Sequence, residues 1–237
     1  IFEDVYCAGS EEVFSFLEDI ISETAALFPF EYIHIGGDEV LKDRWKKCPL
    51  CQKRMKDNNL KDEEQLQSYF ISRAERILAG YNKKLFGWDE ILEGGLAENA
   101  SVMSWRGFEG GLAAASKGHY VVMTPCQHCY LDMPQNKSDK GPRRFNDPVT
   151  VDDSYKFEPV PAQLDQQYHK YILGGQANIW TEYIRTPQEV EYMTNPRLLA
   201  IAEVLWGTNS RGIEDFRKRL SQYYDRMDHF GTGYCRI

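Results

Sequence analysis

Short apolar segments alternate with amphipathic ones along this chain, five times over, and that alternation limits the fold more than any other feature. "EYIHI" (31–35), "KKLFGW" (83–88), "ASVMSW" (100–105), "YVVMTP" (120–125) and "YILGGQANIW" (171–180) read as strands. The last four are rich in apolar residues, as strands covered on both faces are. The intervening segments are helical. Ser10 precedes Glu11 and Glu12, acids that suit a helix N-terminus, and Val13, Phe14, Leu17, Ile20 and Ile21 keep helical spacing. Leu66, Tyr69, Phe70, Ala74, Ile77 and Leu78 share one face of a helix over 63–79, with Gly80 as its stop. Residues 108–118 predict a short helix closed by Gly118. Thr186-Pro187-Gln188-Glu189 has capping-box spacing, Asn195-Pro196 opens a helix running to Gly207, and 212–230 is amphipathic with Ile213, Phe216, Leu220, Tyr224 and Met227 inward. Strand followed by helix, repeated, predicts a parallel sheet of βα units. The polar stretch from Leu131 to about Lys170 breaks the rhythm and reads as a loop insertion with one short helix near 161–168.

Length and charge narrow the function classes. A chain of 237 residues can bury a substantial core, and 1–237 reads as a single domain. A net charge of −8 with dispersed Lys and Arg argues against nucleic acid as a partner. No apolar run reaches the roughly 18 residues of a membrane span, and Ile1-Phe2-Glu3-Asp4 lacks the look of a leader peptide. Six cysteines include the pairs Cys48/Cys51 and Cys126/Cys129, but 74 residues lie between them. That spacing favours buried or local thiols over a four-cysteine zinc site.

Ligands of parallel α/β sheets bind at the carboxyl ends of the strands. Asp38 and Glu39 follow the first strand, Trp88 ends the second and Trp105 the third. Tyr130 and Asp132 lie past the fourth, and Trp180 and Glu182 close the fifth. Aromatic faces and carboxylates, with few cations and no phosphate loop, suit a neutral polyhydroxylated ligand. Adjacent residues on a strand point to opposite faces, so Asp38 and Glu39 would have different tasks. The Gly36-Gly37 step would leave room for the ligand beside the backbone. His34 reads as a hydrogen-bonded core or supporting residue.

"HIGGDEV", "FGWDE", "MSW", "CYLD" and "GGQANIWTE" resemble, in order, the strand-end motifs of family 20 glycoside hydrolases, the β-N-acetylhexosaminidases. The resemblance implies a partial (β/α)8 TIM barrel, strands 4–8 with their helices. It implies removal of terminal β-linked GlcNAc or GalNAc from an oligosaccharide or glycoconjugate glycan by substrate assistance, through an oxazolinium intermediate, without cofactor or metal. By the same resemblance Glu39 is the general acid and base, Asp38 orients the substrate's acetamido group, and Tyr130 donates to the acetamido oxygen. Trp88, Trp105 and Trp180 would wall the sugar, and Asp132 and Glu182 would bind it. A disaccharide-releasing relative and a non-catalytic sugar-binding piece are the alternatives. Family membership further implies a periplasmic, secreted or lysosomal-type compartment. The unpaired sheet edges of a partial barrel predict self-association.

Overall fold

The structure, a computed structural model, describes residues 4–142, 145, 147–207 and 212–237. Its chain divides into two compact units. The first holds residues 1–104, 109–121 and 165–171; the second holds 105–108, 122–164 and 172–237.

In the first unit α1 (Glu11–Leu27) leads to β1 (Tyr32–His34). The short helices α2 (Asp43–Lys47) and α3 (Pro49–Asp57) follow, then α4 (Glu63–Gly80), β2 (Lys84–Trp88), a single 3-10 turn at Asp89–Leu92, β3 (Ser101–Ser104) and α5 (Glu109–Ala115). β1 runs parallel to β2, with His34 opposite Phe86, and β2 parallel to β3, with Trp88 opposite Met103. Leu85 and Val102 are fully buried on these strands, each worth about 1.5–3 kcal/mol of apolar transfer. Asp62 caps α4, its carboxylate accepting from Gln65 N–H. Ser10 occupies the N-cap of α1 without a side-chain bond, and Glu11 and Glu12 lie in the first turn. Glu11 takes Arg54 of α3 and Arg73 of α4, which ties three helices together.

The second unit takes up most of β4 (Val121–Met123), followed by α6 (Cys126–Cys129), α7 (Val151–Tyr155), β5 (Ile172–Gly175), α8 (Pro187–Thr194), α9 (Arg197–Trp206) and α10 (Gly212–Phe230). Gln176 N–H bonds the carbonyl of Met123, carrying the pairing just past β5. The Thr186 capping box is present in full, with Pro187 in the first turn. Phe216, Leu220, Tyr224 and Met227 of α10 pack with Val151 and Ala200, and Ile213 lies against them, as the amphipathic pattern requires. Hydrogen bonding orders the strands β1-β2-β3-β4-β5, which is chain order and the α/β arrangement of five βα units of the partial (β/α)8 type.

Two expectations shift. Four one- to three-turn helices, α2, α3, α6 and α7, escaped the periodicity because segments that short hold too few residues to show it. The segment 131–170 is more structured than a plain insertion: α7 has its own capping box from Thr150 and Asp153, and a 3-10 helix covers Gln166–Tyr171. Residues 143, 144 and 146 of that segment lie outside the described residues.

Candidate active site

In the first unit Asp38 and Glu39 follow β1, and both are exposed. They do not sit on a strand. β1 ends at His34, although Ile35 N–H and the carbonyl of Gly36 still bond across to Phe86 and Trp88 of β2. Gly36, Gly37 and Glu39 then adopt positive φ angles of 75°, 98° and 49°. Left-handed backbone replaces pleat, so strand alternation does not separate the two acids; the turn does. Glycine meets this demand without strain, whereas Glu39 meets it with a Cβ. The space beside Gly37 is also taken: a Cβ there would lie 2.6 Å from Cγ2 of Ile91. The Gly-Gly step thus serves a turn packed on Ile91, and room for a ligand beside Gly37 is not its purpose.

Three side chains hold this turn. Gln67, buried on α4, donates from Nε2 to the carbonyl of Gly37 at 2.7 Å, and its Oε1 accepts from Lys42 Nζ at 2.8 Å. His34 Nδ1 accepts from Gly36 N–H at 3.0 Å, which fixes its tautomer as Nε2–H when neutral. The imidazole, though partly open to solvent, stands edge-on to Trp88 at 4.8 Å and lies alongside Phe86. Desolvation there pushes its pKa below 6.5, with the charge of Asp38 pulling the other way. Trp88 is buried at the end of β2. An apolar cavity of about 400 Å³ lies among α1, β1 and α4, lined by Leu17, Ile21, Ile33, Phe70 and Ile71. It offers little for the hydroxyls of a sugar.

The second unit brings together Trp105, Tyr130 and Trp180. The Trp105 and Tyr130 rings stack at 6.0 Å and 20°, and Trp180 is tilted against Tyr130 at 6.4 Å. Asn178 organises this group. It exchanges backbone bonds with Cys129 and Leu131, while its side chain donates to Thr124 Oγ1 at 2.8 Å and accepts from Gln176 Nε2 at 2.7 Å. Burial drives the Tyr130 hydroxyl well above its ordinary pKa, against hydrogen bonding to Trp180 and Asn178, so it stays a proton donor. Trp180 is 42% exposed, an aromatic face open to a partner.

Asp132 is buried, and among the described residues its Oδ1 has no hydrogen-bond partner. Desolvation raises its pKa, followed in the other direction by backbone N–H groups of its own residue and of Trp180; Glu182 adds to the rise. A buried carboxylate oxygen left without a donor is costly unless something supplies one, as a ligand hydroxyl would. Glu182 lies near enough to act on it electrostatically. Beneath Asp132 sits Arg197, fully buried, donating to the carbonyls of Leu131, Met133, Val149 and Met193 at 2.5–2.9 Å. That clamp holds Leu131, Met133 and Val149 against Met193.

Gln67, Asn178 and Arg197 were not singled out from the sequence. Asn178 stands inside "GGQANIWTE" and had that signal; a buried Gln or Arg inside a helical pattern carries none. Cys126 and Cys129 do not join Cys48 and Cys51. The structure instead gathers Cys7 with Cys48 and Cys51.

A parallel α/β sheet whose strand ends carry carboxylates and an aromatic group places them where ligands of such sheets bind. The signature "Glycosyl hydrolase family 20, catalytic domain" matches residues 1–209, and the chain belongs to that family. It is 50% identical over 234 residues to a beta-hexosaminidase of Porphyromonas gingivalis, covering 98% of this chain and 30% of that protein. A beta-hexosaminidase of Vibrio furnissii is 33% identical over 192 residues, covering 80% of this chain and 31% of that protein. Among solved structures, the GH20 exo β-N-acetylglucosaminidase of Vibrio harveyi in complex with N-acetylglucosamine superposes with a TM-score of 0.90 at 34% identity. That match covers 98% of this chain and 37% of the other. The chain spans about a third of the length of these relatives.

Proposed function

We propose that this chain carries catalytic and binding groups of a retaining β-N-acetylhexosaminidase that removes terminal, non-reducing β-linked GlcNAc or GalNAc from glycans. The observation that supports it most is the presentation of Asp38 and Glu39 by a left-handed turn at the carboxyl end of β1, in a chain of family 20. Glu39 protonates the departing glycosidic oxygen. The substrate's acetamido oxygen attacks the anomeric carbon, forming an oxazolinium ion as the bond to the leaving group breaks. Asp38 accepts from the acetamido N–H and offsets the positive charge that develops there. Glu39, now a carboxylate, takes a proton from water as that water opens the ring with net retention. Tyr130 donates its hydroxyl to the acetamido oxygen. Trp88, Trp105 and Trp180 supply walls, and Asp132 and Glu182 accept from sugar hydroxyls.

Glycan is the partner in this reading. The compartment it implies is periplasmic, secreted or lysosomal-type, and self-association through sheet edges belongs to the same proposal. No helix among the described residues is long and apolar enough to cross a membrane. The test is hydrolysis of 4-nitrophenyl β-GlcNAc by the chain and by Glu39→Gln. Turnover that falls roughly 10²–10⁴-fold in the variant supports the acid–base role. Turnover unchanged in the variant would overturn it. Sugar binding with no turnover by the parent chain would favour the non-catalytic alternative.

A further inference from the structure

The sulfurs of Cys7, Cys48 and Cys51 converge on one point of the first unit. Cys7 Sγ lies 3.6 Å from Cys48 Sγ and 3.7 Å from Cys51 Sγ, and the three Sγ atoms all lie within 4.8 Å of one another. A disulfide would need about 2.05 Å. Three thiolates on a tetrahedral zinc ion, at about 2.3 Å each, would stand about 3.8 Å apart. The Cys7–Cys48 and Cys7–Cys51 spacings are close to that of ligands around an ion.

The surroundings are built to hold these sulfurs in place. Cys48 is the N-cap of α3, and the backbone N–H groups of Cys51 and Leu50 bond its sulfur; the N–H of Gly9 bonds that of Cys51. Such donors stabilise thiolate charge. The segment carrying Cys7 is pressed onto the Cys48–Cys51 turn so tightly that a Cβ at Gly9 would lie 2.2 Å from the carbonyl carbon of Leu50. Arg54 of α3 donates to the carbonyl of Gly9 at 3.1 Å, and Trp45 Nε1 to that of Tyr6 at 2.9 Å, fixing the segment from both sides. Below it, Ala8, Trp45, Cys51, Met55 and Leu66 form a buried cluster.

We propose that Cys7, Cys48 and Cys51 form a three-thiolate site for a soft divalent metal, zinc foremost, which staples the segment before α1 to the α2–α3 junction. Binding replaces three S–H bonds with three metal–sulfur bonds, releases three protons and transfers no electrons. Soft thiolates select such ions over magnesium or calcium. The fourth position, which no His, Cys, Asp or Glu among the described residues fills, goes to water or another small donor. The staple lies just beyond the Asp38–Glu39 turn in the chain, since α2 begins at Asp43.

The test is metal analysis of the full chain, purified without chelator and reconstituted with Zn(II), alongside Cys48→Ser and Cys126→Ser. One zinc per chain is expected, retained in Cys126→Ser and lost in Cys48→Ser. Co(II) in its place should give the sulfur-to-metal charge-transfer and tetrahedral ligand-field bands of a thiolate site. Chelation should lower the melting temperature of the parent chain, and zinc should restore it. A folded chain that takes up no stoichiometric metal would overturn the proposal. So would a disulfide among the three cysteines in the isolated protein, found by mass after alkylation with and without reductant. Equal metal loss in both variants would also overturn it. Because Cys7→Ser reads out the same metal content, a Cys48→Ser that fails to fold leaves the test intact.

Discussion

Gln67 Nε2 donates to the carbonyl oxygen of Gly37 at 2.7 Å, so a buried side chain on α4 grips the peptide immediately before Asp38. The same amide accepts from Lys42, three residues past Glu39. One residue therefore fixes both ends of the turn that presents the two acids. Gln67→Leu leaves the Gly37 carbonyl and the Lys42 ammonium without this partner. Expected outcomes are a loss of about 1–3 kcal/mol in urea unfolding and a fall in kcat larger than any rise in KM. A fall in stability with kcat untouched would remove the positioning role.

Gly37 is a packing and a conformational requirement together. Its φ of 98° and the 2.6 Å approach of a Cβ to Ile91 Cγ2 predict that Gly37→Ala costs about 1–3 kcal/mol. Ile91→Ala alone also destabilises by leaving a cavity. The double variant should lose less than the two single losses added together, because the clash is gone while the backbone strain remains. Strict additivity in a thermal-melt cycle would show that Ile91 is not what Gly37 accommodates.

Asp132 is buried with one carboxylate oxygen unsatisfied among the described residues, and in the proposed function a sugar hydroxyl supplies the missing donor. Its carboxyl pKa is raised above the ordinary 3.8, by burial first, so the folded state holds its proton more tightly than the unfolded chain does. The sign follows: below 3.8 both states are protonated and no cost arises, and stability falls as pH rises through 3.8 to the raised folded value. Asp132→Asn should therefore melt at a higher temperature than the parent at neutral pH and converge with it at acid pH. The same change should weaken glycan binding, because a carboxylate acceptor is lost. A variant less stable than the parent at neutral pH would contradict the account.

Arg197 ties Leu131, Met133 and Val149 to Met193 of α8 through their four carbonyls. Arg197→Met removes these four hydrogen bonds from a buried place and should cost about 3–5 kcal/mol. Hydrogen exchange should show the loss of protection around Leu131 and Val149 before the rest of the chain. Global unfolding without that local opening would mean the Arg is a general core group.

The five strands and the helices α1, α4, α5, α8, α9 and α10 were legible because each depends on local pattern. Thr186 and Glu189 cap α8 from four adjacent positions, and the inward face of α10 repeats every third or fourth residue. What stayed hidden depends on distance in sequence. Cys7 meets Cys48 across 41 residues, and Arg197 reaches Leu131 across 66. The turn at Asp38-Glu39 was misread for a different reason. Gly36 and Gly37 announce freedom, not direction, and the positive φ of Gly36, Gly37 and Glu39 takes the chain out of the strand.

In the proposed function Asp38 recognises the acetamido group as it becomes a cation. Calorimetric titration with a thiazoline mimic of the oxazolinium ion, into the parent chain and Asp38→Asn, tests this without requiring turnover. The account predicts saturable binding to the parent at one site and at least a tenfold weaker affinity, about 1.4 kcal/mol, in the variant. Equal binding by both, or none by the folded parent, would contradict it.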